Sequence, residues 1–391
     1  MKTFLRWFGL ALCVAMAGCG KKTESTTDVT VRPAAKVSDE ILIGEYGSMT
    51  GSTATFGIGT HKGIMIAVDE INDKGGILGK KVKILLEDDQ GDAKQANNAV
   101  LKLIKRDHVV AILGEVASSC SRAAAPICQE NKIPMLSPAS TNIEVTRNGD
   151  YIFRSCFVDP FQGAVISKFA FATLKARTGA ILTDKNSAYS VGLAQVIKEE
   201  FAKMGGKIVA DESYQANDKE FKPQLTTIRE AKPDIIFVPG YYTDCALLAI
   251  QARELGITQP IIGGDGWDSE KTTEIGGAAV NGCYFSTHYH QDDPRPEVRS
   301  FVEKFKKLHQ SAPDSMAVLG YDAANILFDA IRRAGKTEGS AIRDALAATK
   351  DFQGVSDKIT IDKDRNALKG LVVIKIDEGK FTFAELVKPT P

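Results

Sequence analysis

Cysteine pairs and histidine clusters of metal-ligand spacing are missing from this chain: there is no Cys-x-x-Cys and no cluster among its five histidines, which argues against a structural zinc site. An excess of charge is missing too. Lys+Arg 49 against Asp+Glu 49 leave a net charge of zero, so nothing provides the basic footprint that nucleic acid requires. Beyond Cys19 no apolar run is long enough to cross a bilayer. Repeats are absent, and the one low-complexity block lies near the N-terminus. Of seven cysteines, Cys13 and Cys19 fall in the N-terminal segment and five remain, so at least one is unpaired. Cys120 and Cys128 make a poor pair, because eight residues of helix rise ~12 Å against the ~7 Å limit between the Cα atoms of a disulfide.

What is present begins with an address. Lys2 and Arg6 precede an apolar run, Leu10 to Ala17, too short to span a membrane and closing on small residues, as a secretory signal does. Met16-Ala17-Gly18-Cys19 resembles the lipobox of bacterial lipoproteins, with Met16 where Leu is usual. That resemblance implies a signal peptide over 1–18, cleavage before Cys19, and lipidation of its thiol. A two-chain anchor, at ~0.8 kcal/mol per buried CH2, holds a domain to a membrane surface. The alternative is a plain signal peptide whose cleavage site contains a cysteine. Residues 19–37 read as a tether, being Lys, Thr, Ser and Pro with almost no large apolar side chain. The expected location is extracytoplasmic, in the periplasm or on the outer cell surface, anchored through Cys19.

A chain of 391 residues exceeds what one core usually organises. From Glu40 onward β-branched runs alternate with amphipathic stretches, the pattern of parallel sheets covered by helices. Strands are expected at Ile41–Gly44, Val82–Leu86, Val110–Leu113 and Ile133–Leu136, with helices at Gly63–Asn72, Ala93–Arg106 and Ser121–Asn131. A second series opens with a helix near Phe161. It continues with strands at Ala180–Leu182, Ile208–Ala210, Ile235–Val238 and Ile261–Ile262, separated by helices at Val191–Met204, Gln224–Ala231 and Ala246–Leu255. Helices at Val298–Leu308, Ala323–Ala334 and Ile342–Ala348 follow, then strands at Lys358–Ile361, Val372–Ile376 and Phe381–Leu386. The fold class is α/β, with two doubly wound parallel-sheet lobes.

Two enzyme readings fail on local geometry. Gly57, Gly59 and Gly63, followed by Glu87 to Asp89, imitate a dinucleotide fingerprint. Its last glycine is one residue late, and Glu45 to Phe56 separates it from its strand, whereas a fingerprint needs a tight turn directly off the strand. Ala188-Tyr189-Ser190-Val191-Gly192 is similar to a nucleophile elbow, but Asp184 to Ala188 intervene after the strand. His288 and His290 would be the available bases, and both read as surface loop. The chain is therefore expected to be no enzyme and to use no cofactor and no metal.

The blocks GSMTGSTATFGIGTHKGIMIAVDEIN from Gly47, AAAPICQENKIPMLSPAST from Ala123, YIFRSCFVDPFQG from Tyr151, PDIIFVPGYY from Pro233, GGDGWDS from Gly263 and LGYDAANIL from Leu319 carry a resemblance. In that order they resemble the bacterial leucine/isoleucine/valine-binding family, the type I periplasmic solute-binding proteins of branched-chain amino-acid ABC transporters. The resemblance covers Asp39 to Leu386. It implies three crossings between lobes, near Ser155–Pro160, Phe285–His290 and Thr349–Gly354. Lobe one is then 38–155 plus 291–350, and lobe two 156–290 plus 351–391.

It also implies a site. Ser118, Ala139 and Thr141 would hold a ligand carboxylate beyond strand ends, where helix N-termini offer unpaired N–H groups, with Ser140 also in the site. Tyr241 and Asp265 would face them from the other lobe, Asp265 pairing with an ammonium; Phe56, Tyr189 and Trp267 would be walls. Without the resemblance these serines and threonines read as ordinary caps, and Asp265 as a solvated turn. Phe56 stands where relatives often have Tyr, and Glu115 where many are uncharged, a departure expected to bear on ligand choice. Relatives that bridge the loops around Gly91 and Ala117 by a disulfide differ here, for neither cysteine is present. The implied protein is a monomer that takes a branched-chain aliphatic amino acid, closes on it and presents it to an ABC permease, with no nucleic-acid partner. The alternative is a sensory or regulatory receptor for an amino acid or amide.

Overall fold

The structure, a computed structural model, describes residues 39–388. The expected signal peptide, Cys19 and tether lie outside the described residues. The first series runs β1 (Glu40–Gly47), α1 (Ala54–Asp73), β2 (Lys81–Asp88), α2 (Ala93–Lys105), β3 (Ala111–Leu113), α3 (Ser118–Asn131), β4 (Met135–Ser137) and β5 (Ile152–Arg154). Its strands form one parallel sheet in the order β2-β1-β3-β4-β5. Alternate residues of each strand go to opposite faces. Ile43, Leu113, Leu136 and Phe153 join one core with α1, while Ile112, Met135 and Ile152 join another with α2 and α3.

The second series runs α4 (Asp159–Lys168), β6 (Thr178–Asp184), α5 (Ala188–Lys203), β7 (Lys207–Tyr214), α6 (Lys222–Ala231), β8 (Ile235–Phe237), α7 (Tyr242–Glu254), β9 (Ile261–Gly263), α8 (Glu270–Gly276) and β10 (Tyr284–Thr287). Three helices follow, α9 (Pro296–His309), α10 (Ser315–Ala334) and α11 (Gly339–Ala347), then β11 (Phe352–Gln353), β12 (Lys358–Ile361), β13 (Ala367–Leu368), β14 (Leu371–Asp377) and β15 (Lys380–Val387). The second sheet has the order β15-β14-β10-β9-β8-β6-β7, parallel except where β14 and β15 add antiparallel strands. In each sheet the first strand in sequence is flanked by the second and third. That order creates a switch point, outside which open α/β sheets bind ligands.

The chain passes between the two lobes after β5, after β10 and after β13. The third passage differs from the expectation at 349–354. Ile359, Ile361 and Ala367 pack in one core with Ile43, Ile326 and Leu346, so the small β11-β12-β13 sheet belongs with the first lobe, not with the second as expected for residues from 351 onward. Short β-branched stretches look alike on either side of a crossing, and only packing decides their lobe.

Helix α1 also starts earlier than expected, at Ala54 rather than Gly63. Glycine lowers helix propensity by about 1 kcal/mol per residue, which hides the first turns in the sequence. Packing requires those glycines. A Cβ at Gly57 would lie 2.2 Å from the Ser48 carbonyl oxygen, one at Gly63 1.9 Å from that of Ala317, and one at Gly320 2.3 Å from that of Thr60. The apparent nucleotide fingerprint is thus the close contact of α1 with α10 and with the chain leaving β1.

Candidate functional site

Loops at the carboxyl ends of both sheets meet around one cavity. Its lining is Phe56, Val116, Ser118, Ala139, Thr141, Tyr189, Tyr241, Asp265, Gly266 and Met316, with about 10 Å³ of free space between them. That is room for about one water molecule. From the first lobe, α3 presents its N-terminus: Ala117 precedes Ser118 and no side chain caps the helix, which leaves N–H groups for an anion. The Ser118 hydroxyl accepts from the Asn142 N–H at 3.3 Å. Thr141 is buried, and its Oγ1 has no hydrogen-bond partner.

From the second lobe, Asp265 follows β9 and is 4% exposed, so it is no solvated turn residue. Its N–H donates to Gln162 Oε1 at 2.8 Å, and its Oδ1 has no partner. Burial raises its pKa to about 7, with Tyr189 and Gln162 nearby offsetting part of that rise. Asp159, under Thr141, is likewise raised to about 7 by burial; Thr141 is near enough to counter some of the effect without forming a well-aligned hydrogen bond. Aromatic rings close the remaining side. Tyr189 stacks on Tyr241 with centroids 5.3 Å apart, and its hydroxyl accepts from the Gly266 N–H at 3.1 Å. Phe56 meets Tyr241 and Tyr242 edge-on at 5.8 and 4.9 Å.

Of the expected residues, Phe56, Ser118, Ala139, Thr141, Tyr189, Tyr241 and Asp265 line this cavity. Ser140 and Trp267 do not. The Ser140 hydroxyl bonds the Glu115 carbonyl at 2.9 Å and Ser121 at 2.7 Å, and its own carbonyl takes a hydrogen bond from Arg154, all within the first lobe. Trp267 fills the core of the second lobe and donates to the Val238 carbonyl at 2.9 Å. Glu115 is also outside the lining. Its carboxylate accepts from the Ser48 N–H at 3.2 Å and from the Ala117 N–H, and its pKa is pushed well up by burial and by neighbouring Asp89. The group binds loop to loop rather than touching the cavity.

Val116 and Met316 are lining residues that sequence reasoning missed. Met316 sits in the first turn of α10, which Asp314 caps through the Ala317 N–H at 2.8 Å; Asp314-Ser315 was a legible start signal. His288, expected on a surface loop, is buried with Nε2 3.1 Å from Asp265 Oδ2. No sequence signal marks that contact.

Hydrogen bonds across the cleft hold the lobes together. The Ala188 N–H donates to Ser119 Oγ at 3.0 Å, Asn142 Nδ2 to the Ala188 carbonyl at 2.7 Å, and Thr243 Oγ1 to the Ser52 carbonyl at 3.1 Å. The Thr55 N–H donates to the Tyr242 hydroxyl at 3.3 Å, and the Thr55 and Ser269 hydroxyls pair at 3.1 Å.

Two doubly wound lobes meeting on a small closed cavity at their strand ends define a solute-binding protein. The chain belongs to the periplasmic binding protein family, whose model matches residues 40–380. It is 30% identical over 349 residues to a Leu/Ile/Val-binding protein of Rhizobium johnstonii, covering 88% of this chain and 94% of that one. A leucine-binding protein of Thermotoga maritima superposes with a TM-score of 0.86 at 39% identity, over 89% of this chain and 99% of its own. A branched-chain amino-acid transporter substrate-binding protein of Streptococcus pneumoniae, solved with isoleucine, gives 0.85 at 33% identity, over 90% and 100%. The family works outside the cytoplasm. No helix among the described residues is long and apolar enough to cross a membrane.

Proposed function

We propose that this protein captures a free α-amino acid with an aliphatic side chain, in the class of leucine, isoleucine and valine, and delivers it to an ABC permease. The observation that carries the reading is the pair of unpartnered buried oxygens at the cavity, Thr141 Oγ1 on one lobe and Asp265 Oδ1 on the other. A hydroxyl beside a bare helix N-terminus suits a carboxylate, and a buried carboxylate suits an ammonium. Phe56, Val116, Met316 and Tyr241 offer an apolar lining to the side chain. The leucine-binding and branched-chain relatives support the same ligand class. A thermal-shift screen of the twenty amino acids tests it. Ligand at ~100 times its dissociation constant adds ~2.7 kcal/mol of stability, and leucine, isoleucine or valine should give the largest shift. Stabilisation by non-amino-acid solutes alone would remove the ligand class and keep the fold.

The reading includes a lipid anchor at Cys19, supported by the Met16-Ala17-Gly18-Cys19 sequence. Cys19→Ala should release the protein from membranes or leave its signal uncut. A variant that is processed and still fractionates with membranes would disprove the anchor.

A further inference from the structure

Asp265 is held on every side except the one that faces the cavity. Gln162 Oε1 takes its N–H at 2.8 Å and the Ser286 hydroxyl at 2.7 Å, while Gln162 Nε2 donates to Asp159 Oδ1 at 3.2 Å. Asp265 Oδ2 meets His288 Nε2 at 3.1 Å, so only Oδ1 is left without a partner. The His288 side chain is fully buried and its ring stacks on Phe157, with centroids 3.9 Å apart and planes 14° from parallel. Such stacking leaves the imidazole little rotational freedom.

Burial, and then the charge of Lys369, hold the His288 pKa well below its ordinary value, so the ring is neutral. A neutral imidazole has one N–H. Nδ1 has no partner, and Nε2 has the carboxylate, so the tautomer that satisfies a buried group places the proton on Nε2. The ring then donates to Oδ2. A carboxylate fixed through one oxygen has its other oxygen fixed in direction as well.

We propose that His288 is the positioning residue that aims Asp265 Oδ1 at the ligand ammonium, and so sets the preference for amino acids over plain carboxylic acids. This rests on the reading that Asp265 takes the ammonium. His288 also follows β10 directly, at the passage between lobes, and Phe157 lies in the passage after β5. The ammonium partner is thereby built onto the connections between lobes rather than onto a free loop.

The test compares L-leucine with 4-methylpentanoate, the same skeleton without its amine, by calorimetry and by competition. Wild type should favour leucine strongly. His288→Leu should cut that preference by about tenfold or more, the scale of a hydrogen bond to a charged group, by weakening leucine while leaving 4-methylpentanoate nearly unchanged. His288→Gln, whose amide nitrogen reaches the place of Nε2, should restore most of it. In an Asp265→Asn background, His288→Leu should change the preference no further. If His288→Leu fails to fold, His288→Asn, whose amide is too short to reach Asp265, replaces it. Equal weakening of both ligands, or an unchanged preference, would overturn the positioning role. Wild type that binds neither ligand, or an Asp265→Asn protein that keeps the full preference, would instead overturn the amino-acid reading and the inference with it.

Discussion

Thr141 and Asp265 come from different sheets, are both buried, and line one cavity with one unpartnered oxygen each. Buried polar groups are paired in more than about 90% of cases, and leaving one unpaired costs about 1–3 kcal/mol. On the proposed reading, a zwitterionic ligand would satisfy both groups at once. Asp265→Ala should cost ~3–5 kcal/mol of leucine affinity, or roughly two to four decades, because the ammonium stays buried without its partner. Thr141→Val should cost less, about 1.5–3 kcal/mol, since the α3 N-terminus and Ser118 still hold the carboxylate. Calorimetry on folded variants checks the order. A Thr141→Val protein weaker than Asp265→Ala would reverse the assigned roles.

Proton linkage gives a second test. Without ligand, burial holds the Asp265 pKa at about 7, while an ammonium favours the ionised form and lowers it. Binding should then release a proton near pH 6, and affinity should rise between roughly pH 5 and 8 before levelling off. For stability the sign is opposite. A carboxyl group raised on folding, as Asp265 and Asp159 are, binds protons more tightly in the folded state. Its contribution is complete below the unfolded value and is lost as pH climbs through about 7. The ligand-free protein should thus lose stability from pH 4 to 7, and leucine should offset the loss. Calorimetry in buffers of different ionisation heat measures the proton, and Asp265→Asn should abolish most of its release.

Strand ends marked the places of the site residues, but only the family resemblance separated them from ordinary caps and turns. Tyr241 and Asp265 follow short apolar runs, and Ser118 and Thr141 lie where such runs give way to a helix or loop; doubly wound sheets put those places at the ligand. Residues whose position depends on a neighbouring element were not legible. Trp267 is two residues from Asp265, yet it turns back beneath β8 to bond Val238. His288 reaches Asp265 across 23 positions of chain. Glu115 was visible as an unusual charge, but its direction is set by the Ser48 and Ala117 N–H groups. Strands β5 and β10, three and four residues long, are too short for a periodic signal and are ordered by their neighbours.

Lobe closure should depend on the contacts of Tyr242. Its hydroxyl accepts the Thr55 N–H at 3.3 Å across the cleft, while its ring packs on Phe56. Tyr242→Phe keeps the ring and removes the acceptor, so the closed form should lose about 0.5–1.5 kcal/mol. Leucine affinity should fall about two- to tenfold, with faster release, because the open form has no such bond to lose. Stopped-flow dissociation measures the release. An unchanged rate would mean that this contact forms in the open protein too or carries no energy.

The last expectation concerns the glycines that imitate a nucleotide site. Gly63 sits inside α1 where Ala would ordinarily gain about 1 kcal/mol of helix propensity. Here the new Cβ would be 1.9 Å from the Ala317 carbonyl oxygen and 2.9 Å from the Tyr321 nitrogen, both backbone atoms of α10 that cannot swing aside. Overpacking of this kind costs about 1–3 kcal/mol or more, so the steric term wins. Gly63→Ala should lower the melting temperature, and should weaken ligand binding only as far as a shift of α10 moves Met316. Gly320→Ala, which would bring a Cβ 2.3 Å from the Thr60 carbonyl oxygen, should behave alike, and the pair should be non-additive because either change already separates the helices. A Gly63→Ala protein as stable as wild type would show that α1 and α10 do not approach this closely.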